Sequence, residues 1–158
     1  MLPPRETRRD DGFTIIELLV AIVLFGIVVG LSVAPYSAYR LRQQHAGSAR
    51  ELVAFLRRAQ VRAVAEETPY RVDLATTTAT MYRWSGTAYV KVQSTTTANA
   101  KVTYSAASFV QDTGGTGTSV YFYAKGSAGK GSVKVVRSGS TKVYTVSVEG
   151  LTARVSYS

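Results

Sequence analysis

The sequence predicts an α+β fold, in which a long N-terminal α-helix packs on a C-terminal antiparallel β domain. Three observations predict it. An apolar run extends from Phe13 to Ala34, a stretch with amphipathic helical spacing follows it to Glu66, and the composition after Pro69 shifts to Thr, Val, Tyr, Ser and Gly. The first two patterns are typical of helices and the third of strands. The chain has 158 residues, which is enough to bury one modest core.

The apolar run has the length of a membrane span. Its residues 13–34 would extend roughly 33 Å as an α-helix, about the thickness of the hydrocarbon core of a bilayer. Gly26 and Gly30 have the Gly-x-x-x-Gly spacing that permits close helix–helix approach. Pro35 follows the run, and we expect it to kink or locally melt the helix. A secretory signal peptide would have a shorter apolar core and a clearer cleavage site than Ser-Val-Ala at 32–34.

Glu17 is the only charged residue between Phe13 and Tyr39. A plain membrane anchor does not explain it, because a charge at the centre of a membrane helix costs at least about 2.5–3.5 kcal/mol and usually marks function. The arginines at 8 and 9 are offset by the aspartates that follow them. If the chain were cut after Gly12, however, the new α-amino group of Phe13 would lie one helical turn from Glu17 and would offset its charge.

Residues 12–20, Gly-Phe-Thr-Ile-Ile-Glu-Leu-Leu-Val, resemble the class III leader junction of type IV pilins and type II secretion pseudopilins. The resemblance implies that prepilin peptidase cleaves between Gly12 and Phe13 and that Phe13 is then N-methylated. It also implies that Glu17 pairs with the N-terminus of a neighbouring subunit during assembly. The subunit would stay in the inner membrane, with its C-terminal domain outside the cytosol, until it joins other major or minor pilins or pseudopilins in a pilus or pseudopilus.

Four segments are therefore expected along the chain. They are a cleaved leader at 1–12, a hydrophobic transmembrane and assembly helix at 13–35, an amphipathic helix extension at 36–67 and an antiparallel β head domain at 68–158. In the extension, the apolar residues fall on one arc at about 100° per residue. They are Leu52, Phe55, Leu56, Ala59 and Ala63.

Two features of this extension leave alternatives open. Gly47 and Ser48 are a weak point, at which we expect a bend or the start of a second helical piece. Four arginines lie close together on the same stretch, and they form either a solvated helix face or an anion-binding face. They are Arg50, Arg57, Arg58 and Arg62.

The β head is expected to hold about seven to nine short strands rich in β-branched and aromatic residues. The predicted ranges are 70–75, 80–84, 88–93, 101–104, 108–111, 119–124, 132–137, 142–149 and 152–157, with a glycine-rich loop at 112–118. Alternation predicts that Val120 and Phe122 face the core, and that Val146 and Val148 do so together with Tyr144.

The head also resembles a particular family. Val120-Tyr-Phe122 with Gly126, followed by valine-rich strands and Gly150, is similar to the C-terminal pattern of GspH/FimT-like minor pilins, as is the helix run that begins at Ala49. The resemblance implies a minor pilin or pseudopilin, a structural subunit of a type IV pilus or of a type II secretion filament.

The composition excludes several classes of site. The chain has no cysteine, so it has no disulfide, thiol nucleophile or Cys-based metal site, and we expect its one histidine, His45, at an exposed helix position. The acids beyond residue 67 are Asp73, Asp112 and Glu149, each on a separate predicted strand or turn. Hydrolysis usually needs two convergent carboxylates or a nucleophile with a base. We therefore expect no enzyme, cofactor or metal.

An alternative function is DNA binding by a minor pilin that acts in DNA uptake. Nineteen Lys plus Arg against ten Asp plus Glu give a net charge of +9, which favours anionic partners. A basic patch on the head would bind phosphates without sequence preference. The candidate residues are Lys130, Lys134, Arg137, Lys142 and Arg154. Some FimT-like proteins carry a Gly-Arg-x-Arg motif near the C-terminus, and here Gly150 is instead followed by Leu-Thr-Ala before Arg154.

Overall fold

The computed structural model describes residues 13–111 and 114–158, so the predicted leader with Gly12, and Asp112 in the predicted glycine-rich loop, lie outside the described residues. The described chain forms two compact units, one ending at Tyr39 and the other comprising Arg40–Ser158. One long helix followed by antiparallel strands makes up the architecture, as the sequence predicts.

Helix α1 extends from Ile15 to Ala65. It is assigned without interruption through Pro35 and through Gly47, so the expected melted turn and the expected second helical piece are both wrong. Proline removes only one intrahelical hydrogen bond and is tolerated in apolar helices.

The C-terminus of α1 is closed by a Schellman motif. The backbone N–H of Glu67 donates to the Val64 carbonyl over 3.3 Å, and the N–H of Thr68 donates to the Ala63 carbonyl over 3.2 Å. Glu67 takes the left-handed conformation that this motif requires, with φ of 50°. Pro69 follows immediately, and because proline disfavours a helical residue before it, the helix ends here as predicted.

Nine strands of the described residues form two antiparallel sheets. The first sheet has the order β3-β2-β1-β6, with β1 Tyr70–Leu74, β2 Thr78–Trp84, β3 Tyr89–Thr96 and β6 Ser119–Phe122. The second has the order β5-β4-β7-β8-β9, with β4 Val102–Val110, β5 Thr116–Gly117, β7 Gly131–Arg137, β8 Tyr144–Val148 and β9 Val155–Tyr157. In the first sheet, the edge strand β6 pairs with β1, although the two strands are distant in sequence.

One predicted pair of strands is a single strand. The ranges 101–104 and 108–111 belong to β4, whose pairing with β7 shifts register between Ser105 and Ser108. Ala106 lies at this bulge with φ of 49°. The bulge interrupts the alternation of inward and outward side chains, which is why the sequence pattern reads as two strands.

The core lies between α1 and both sheets. All five residues of the predicted apolar arc on the helix are completely buried. From the sheets, the completely buried side chains include Val72 on β1, Phe109 on β4, Phe122 on β6 and Val133 on β7. The predicted inward face of β8 is confirmed for Val146 and Val148, which are buried, whereas Tyr144 is half-buried against the same core. These residues form one continuous apolar cluster.

Two polar residues of α1 also belong to this interior. His45 is only 2% exposed, and its Nε2 lies 3.0 Å from the carbonyl oxygen of Val135. The expectation of an exposed His45 is therefore wrong. Ser48 is buried as well, and its Oγ accepts a hydrogen bond from the backbone N–H of Ala98 over 3.1 Å. Burial costs little here because each side chain has a partner on the sheet domain.

Candidate functional site: the N-terminal helix and two basic clusters

The first turn of α1 begins with a helix cap. Thr14 precedes the helix, and its Oγ1 accepts a hydrogen bond from the backbone N–H of Glu17 over 3.3 Å. Thr14 is therefore the N-cap and Glu17 occupies the third helical position, which is the Thr-x-x-Glu order of a capping box. This signal is visible in the sequence. A carboxylate at this position also interacts favourably with the positive end of the helix dipole.

The apolar part of α1 is exposed along its whole described length from Phe13 to Leu31. The large side chains there are between 48% and 82% exposed, with Val29 and Phe13 at the two limits. The most apolar 18-residue window has a mean hydropathy of 2.8, so the helix is long and apolar enough to cross a membrane. A continuous apolar surface of this size is unfavourable in water and requires lipid or other helices around it.

Both glycines of this segment leave room for a neighbouring helix. A Cβ built on Gly26 or Gly30 meets no atom within 4 Å among the described residues. The small-residue spacing predicted from the sequence is therefore on open helix surface.

The five basic residues predicted for DNA binding occupy different places on the second sheet and its loops. Arg137 and Lys142 line one pocket of about 300 Å³. Lys130 lines another cavity, formed with Glu149, Gly150 and the two residues that follow. Lys134 is exposed on β7, and Arg154 precedes β9. The structure thus brings together two of the five.

The arginines of α1 form a second basic cluster. They line a groove of about 740 Å³ whose apolar walls are Val53, Val61 and Tyr157; the arginines are Arg50, Arg57, Arg58 and Arg62. The phenolic oxygen of Tyr157 accepts a hydrogen bond from Arg50 Nε over 3.4 Å, and this bond raises the pKa of the Arg50 guanidinium. We call this groove the arginine groove.

The arginine groove runs beside the edge of the second sheet. Arg57 Nη2 donates to the carbonyl oxygen of Val155, on strand β9, over 2.9 Å. A side chain that binds an edge carbonyl protects the strand from pairing with another chain. Gln60 similarly donates to the Thr152 carbonyl over 3.2 Å. Arg50 and Arg57 are thus partly structural, because each contacts strand β9, while the anion-binding interpretation stays a prediction.

Within residues 13–111 and 114–158, no three His, Asp or Glu side chains lie close enough together to hold a metal ion.

Comparisons with known proteins agree with this architecture. A family model of the prokaryotic N-terminal methylation motif matches residues 7–33, and one of the type II transport protein GspH matches residues 48–152. No curated protein sequence matches the chain.

Two solved structures share the fold. The type IV minor pilin FimU of Pseudomonas aeruginosa matches with a TM-score of 0.57 at 16% identity, over 74% of this chain and 90% of FimU. The minor pseudopilin EpsH from the type 2 secretion system of Vibrio cholerae matches with a TM-score of 0.58 at 13% identity, over 73% of this chain and 96% of EpsH.

Proposed function

Because the chain belongs to the GspH family of type II transport proteins and carries an N-terminal methylation motif, we propose that its exposed apolar helix first anchors it in the inner membrane and then joins it to a filament. The protein is a minor pilin or pseudopilin of a type IV pilus or type II secretion system, which is a structural role. The observation that carries the proposal is the exposed apolar surface of residues 13–31, with one carboxylate in its first turn.

The proposed processing site is the bond between Gly12 and Phe13. Prepilin peptidase removes residues 1–12 there, and the new amino group of Phe13 is methylated. The match of the methylation motif to residues 7–33 supports this position. We expect Gly12→Val to block cleavage, whereas Gly26→Val, a matched change inside the helix, leaves it intact. Mass spectrometry of chains recovered from native membranes checks this, and a Gly12→Val chain that still lacks residues 1–12 contradicts it.

The proposed role of Glu17 is to pair with the Phe13 amine of a neighbouring subunit and so to set the axial position of the helix in the filament. The Thr-x-x-Glu order offers a competing explanation, because in a capping box the side chain at the third helical position bonds back to the N–H of the N-cap residue and stabilises the first turn. The two roles differ in what they need. Pairing needs the negative charge, whereas the capping box accepts glutamine equally well.

Three variants separate these roles. Glu17→Gln removes the charge but keeps the cap, and we expect normal processing with little incorporation into filaments. Thr14→Ala removes the capping hydroxyl at a cost of about 1 kcal/mol, and we expect normal incorporation. Glu17→Ala removes both contributions and is expected to behave like Glu17→Gln. The measurement is the fraction of processed chain in sheared filaments relative to membranes. Loss of incorporation in Thr14→Ala but not in Glu17→Gln would show that the cap, not the charge, is what assembly needs.

The proposed topology places the leader in the cytoplasm and the β head outside it. The arginine count alone gives only weak support, with three arginines in residues 1–12 and two in residues 40–42. Since the chain has no cysteine, a single cysteine introduced at the exposed Ser138–Ser140 turn is the one thiol available. We expect a membrane-impermeant maleimide added from outside the inner membrane to label it.

A further inference from the structure

We propose that the pocket between the start of the second unit and strand β8 binds the phosphate group of an anionic membrane lipid. We call it the phosphate pocket; its six lining residues are Arg42, His45, Arg137, Ser140, Lys142 and Tyr144. Its volume of about 300 Å³ is at the small end of ligand pockets and suits a single phosphate-bearing headgroup. The lipid assignment rests on the proposed membrane anchoring, whereas the phosphate site itself does not.

The charges in the phosphate pocket point to an anion. Arg42, Arg137 and Lys142 bring three positive charges to it, and none of the six lining residues is acidic. The two ion pairs found among the described residues both lie on or beside the first sheet, so neither neutralises this cluster. Like charges held together repel, and a bound anion converts that repulsion into attraction.

Contacts within the phosphate pocket orient Lys142 and Tyr144 before any ligand binds. Lys142 Nζ lies 4.9 Å from the centre of the Tyr144 ring, and the Lys142 backbone N–H donates to Ser140 Oγ over 3.2 Å. Tyr144 in turn packs edge-on against the buried His45 ring at 4.8 Å. Arg137 is half-buried, and its Nε is buried without a hydrogen-bond partner among the described residues. Fixed donors lose little conformational entropy on binding, which favours recognition of a compact anion.

The position of Arg42 favours a lipid over a nucleic acid. It follows Ala34, the last residue of the apolar run, by only eight residues. Eight residues span at most roughly 28 Å in any conformation, so the phosphate pocket is tethered within reach of the membrane surface. Basic residues close to a membrane segment are attracted to anionic headgroups. Single-stranded DNA, by contrast, is bound along a basic groove with stacking aromatics over several nucleotides, and the phosphate pocket is a local site.

The test uses the processed full chain in detergent micelles. His45 is the only histidine of the chain and lines the phosphate pocket, so its imidazole NMR signal reports on this site alone. Four probes are titrated separately: inorganic phosphate, dihexanoyl-phosphatidylglycerol, dihexanoyl-phosphatidylcholine and a twelve-base oligonucleotide. We expect saturable shifts with phosphate and with phosphatidylglycerol, and weaker ones with the zwitterionic lipid.

Variants of the cationic side chains test whether they cause the shift of the His45 signal. We expect Lys142→Gln and Arg42→Gln, both at exposed positions, each to weaken phosphatidylglycerol binding about tenfold, as is typical of losing one charged hydrogen bond. Lys91→Gln, an equally exposed change on strand β3, is the matched control and is expected to bind like the wild type.

Each other outcome overturns part of the proposal. An unmoved His45 signal with all four probes eliminates the phosphate pocket as a binding site. Phosphate binding without phosphatidylglycerol binding eliminates the lipid assignment, and so does an oligonucleotide that binds more tightly than the lipid and loses affinity in Lys142→Gln. The mass of the same sample shows separately whether residues 1–12 were removed, so failure of the pocket is distinguishable from failure of the pilin processing proposal.

Discussion

Because of Tyr104 on strand β4, we expect the stability of the head domain to fall as the pH rises in the alkaline range. Its side chain is 7% exposed, and burial, reinforced by the nearby negative charge of Glu51, raises the pKa of its phenol to about 12. Both causes act in the same direction because burial and a neighbouring carboxylate each disfavour the phenolate. An unperturbed tyrosine has a pKa of about 10.

The sign and the size of the effect follow from this difference. Below pH 10, Tyr104 is neutral in both the folded and the unfolded chain, so its contribution to stability is fully present. Between pH 10 and 12, the unfolded chain loses the proton while the folded chain keeps it, and the free energy of unfolding falls. Two pKa units at about 1.36 kcal/mol each give a limiting loss of about 2.7 kcal/mol. About 2.3 kcal/mol of it is reached at pH 12, where the phenol of the folded chain is half ionised, and the rest follows above pH 12.

The assay compares the full chain with Tyr104→Phe in detergent micelles. Urea unfolding, followed by near-UV circular dichroism, is measured at half-unit steps from pH 8.5 to 12. We expect the wild type to lose about 2.3 kcal/mol more than the variant across this range. The pKa of Tyr70 is also raised, chiefly by burial, but Tyr70 is present in both proteins and cancels from the difference. Tyr36→Phe, a change at an exposed tyrosine, controls for the substitution itself.

Parallel pH curves for the wild type and Tyr104→Phe would refute this account of Tyr104. An independent check is the absorbance of phenolate at 295 nm in the folded protein. One tyrosine equivalent that ionises near pH 12 in the wild type is expected to be missing from Tyr104→Phe. Its persistence in the variant would assign the high pKa to another tyrosine.

Two glycines are predicted to respond in opposite directions to alanine. In Gly131→Ala, the new Cβ would overlap the Ser108 carbonyl oxygen, so we expect β4 and β7 to be forced apart and the free energy of unfolding to fall by about 1–3 kcal/mol or more. In Gly47→Ala, the Cβ meets nothing within 4 Å on an exposed helix position, so we expect a gain of about 0.8–1 kcal/mol. Urea unfolding measures both, and a destabilised Gly47→Ala or an unchanged Gly131→Ala would contradict the packing described at that position.

The buried face of the helix was predictable because its signal is local. Five apolar residues at 3.6-residue spacing define one face, and that face is what the sheets cover. Most strands were predictable for the same reason, although β4 reads as two strands and β5 lies within the predicted loop 112–118. The order of the strands was not predictable, because β6 pairs with β1 over a long separation in sequence, with Tyr70 opposite Phe122 at one end of the register and Asp73 opposite Ser119 at the other. Short alternating patterns specify which side of a strand is buried, but not which strand lies beside it.

Two polar residues of the helix show what a local sequence pattern does not predict. His45 and Ser48 interrupt the apolar pattern. The sequence therefore predicts that His45 is exposed and that the helix is weak at Ser48. Both are buried because Val135 and Ala98 supply a carbonyl oxygen and an N–H group to them. Those partners lie 90 and 50 residues away along the chain, and a local pattern carries no information about them.

Of the candidate sites, those contiguous in sequence were predictable and the one assembled by folding was not. The cleavage motif and Glu17 are contiguous in sequence, and Thr14 adds a cap that the same nine residues already contain. The phosphate pocket is not contiguous. Arg42 comes from the helix, whereas Arg137 and Lys142 flank the turn before β8, so folding is what unites them. Counting basic residues along the head selects Lys130 as readily as Lys142, although the two line different cavities.

The proposed pairing of Glu17 makes cleavage a condition for assembly. Facing water in the first helical turn, the carboxylate stabilises α1 by about 0.3–1 kcal/mol through the helix dipole. Inside a hydrocarbon or helical environment the same unpaired charge costs several kcal/mol. A neighbour can offset that cost only if it offers a free amine, and Phe13 has one only after residues 1–12 have been removed. An uncleaved subunit would therefore occupy a filament position and leave the next Glu17 unpaired, so we expect Gly12→Val chains to be excluded from filaments even when wild-type subunits are present in excess.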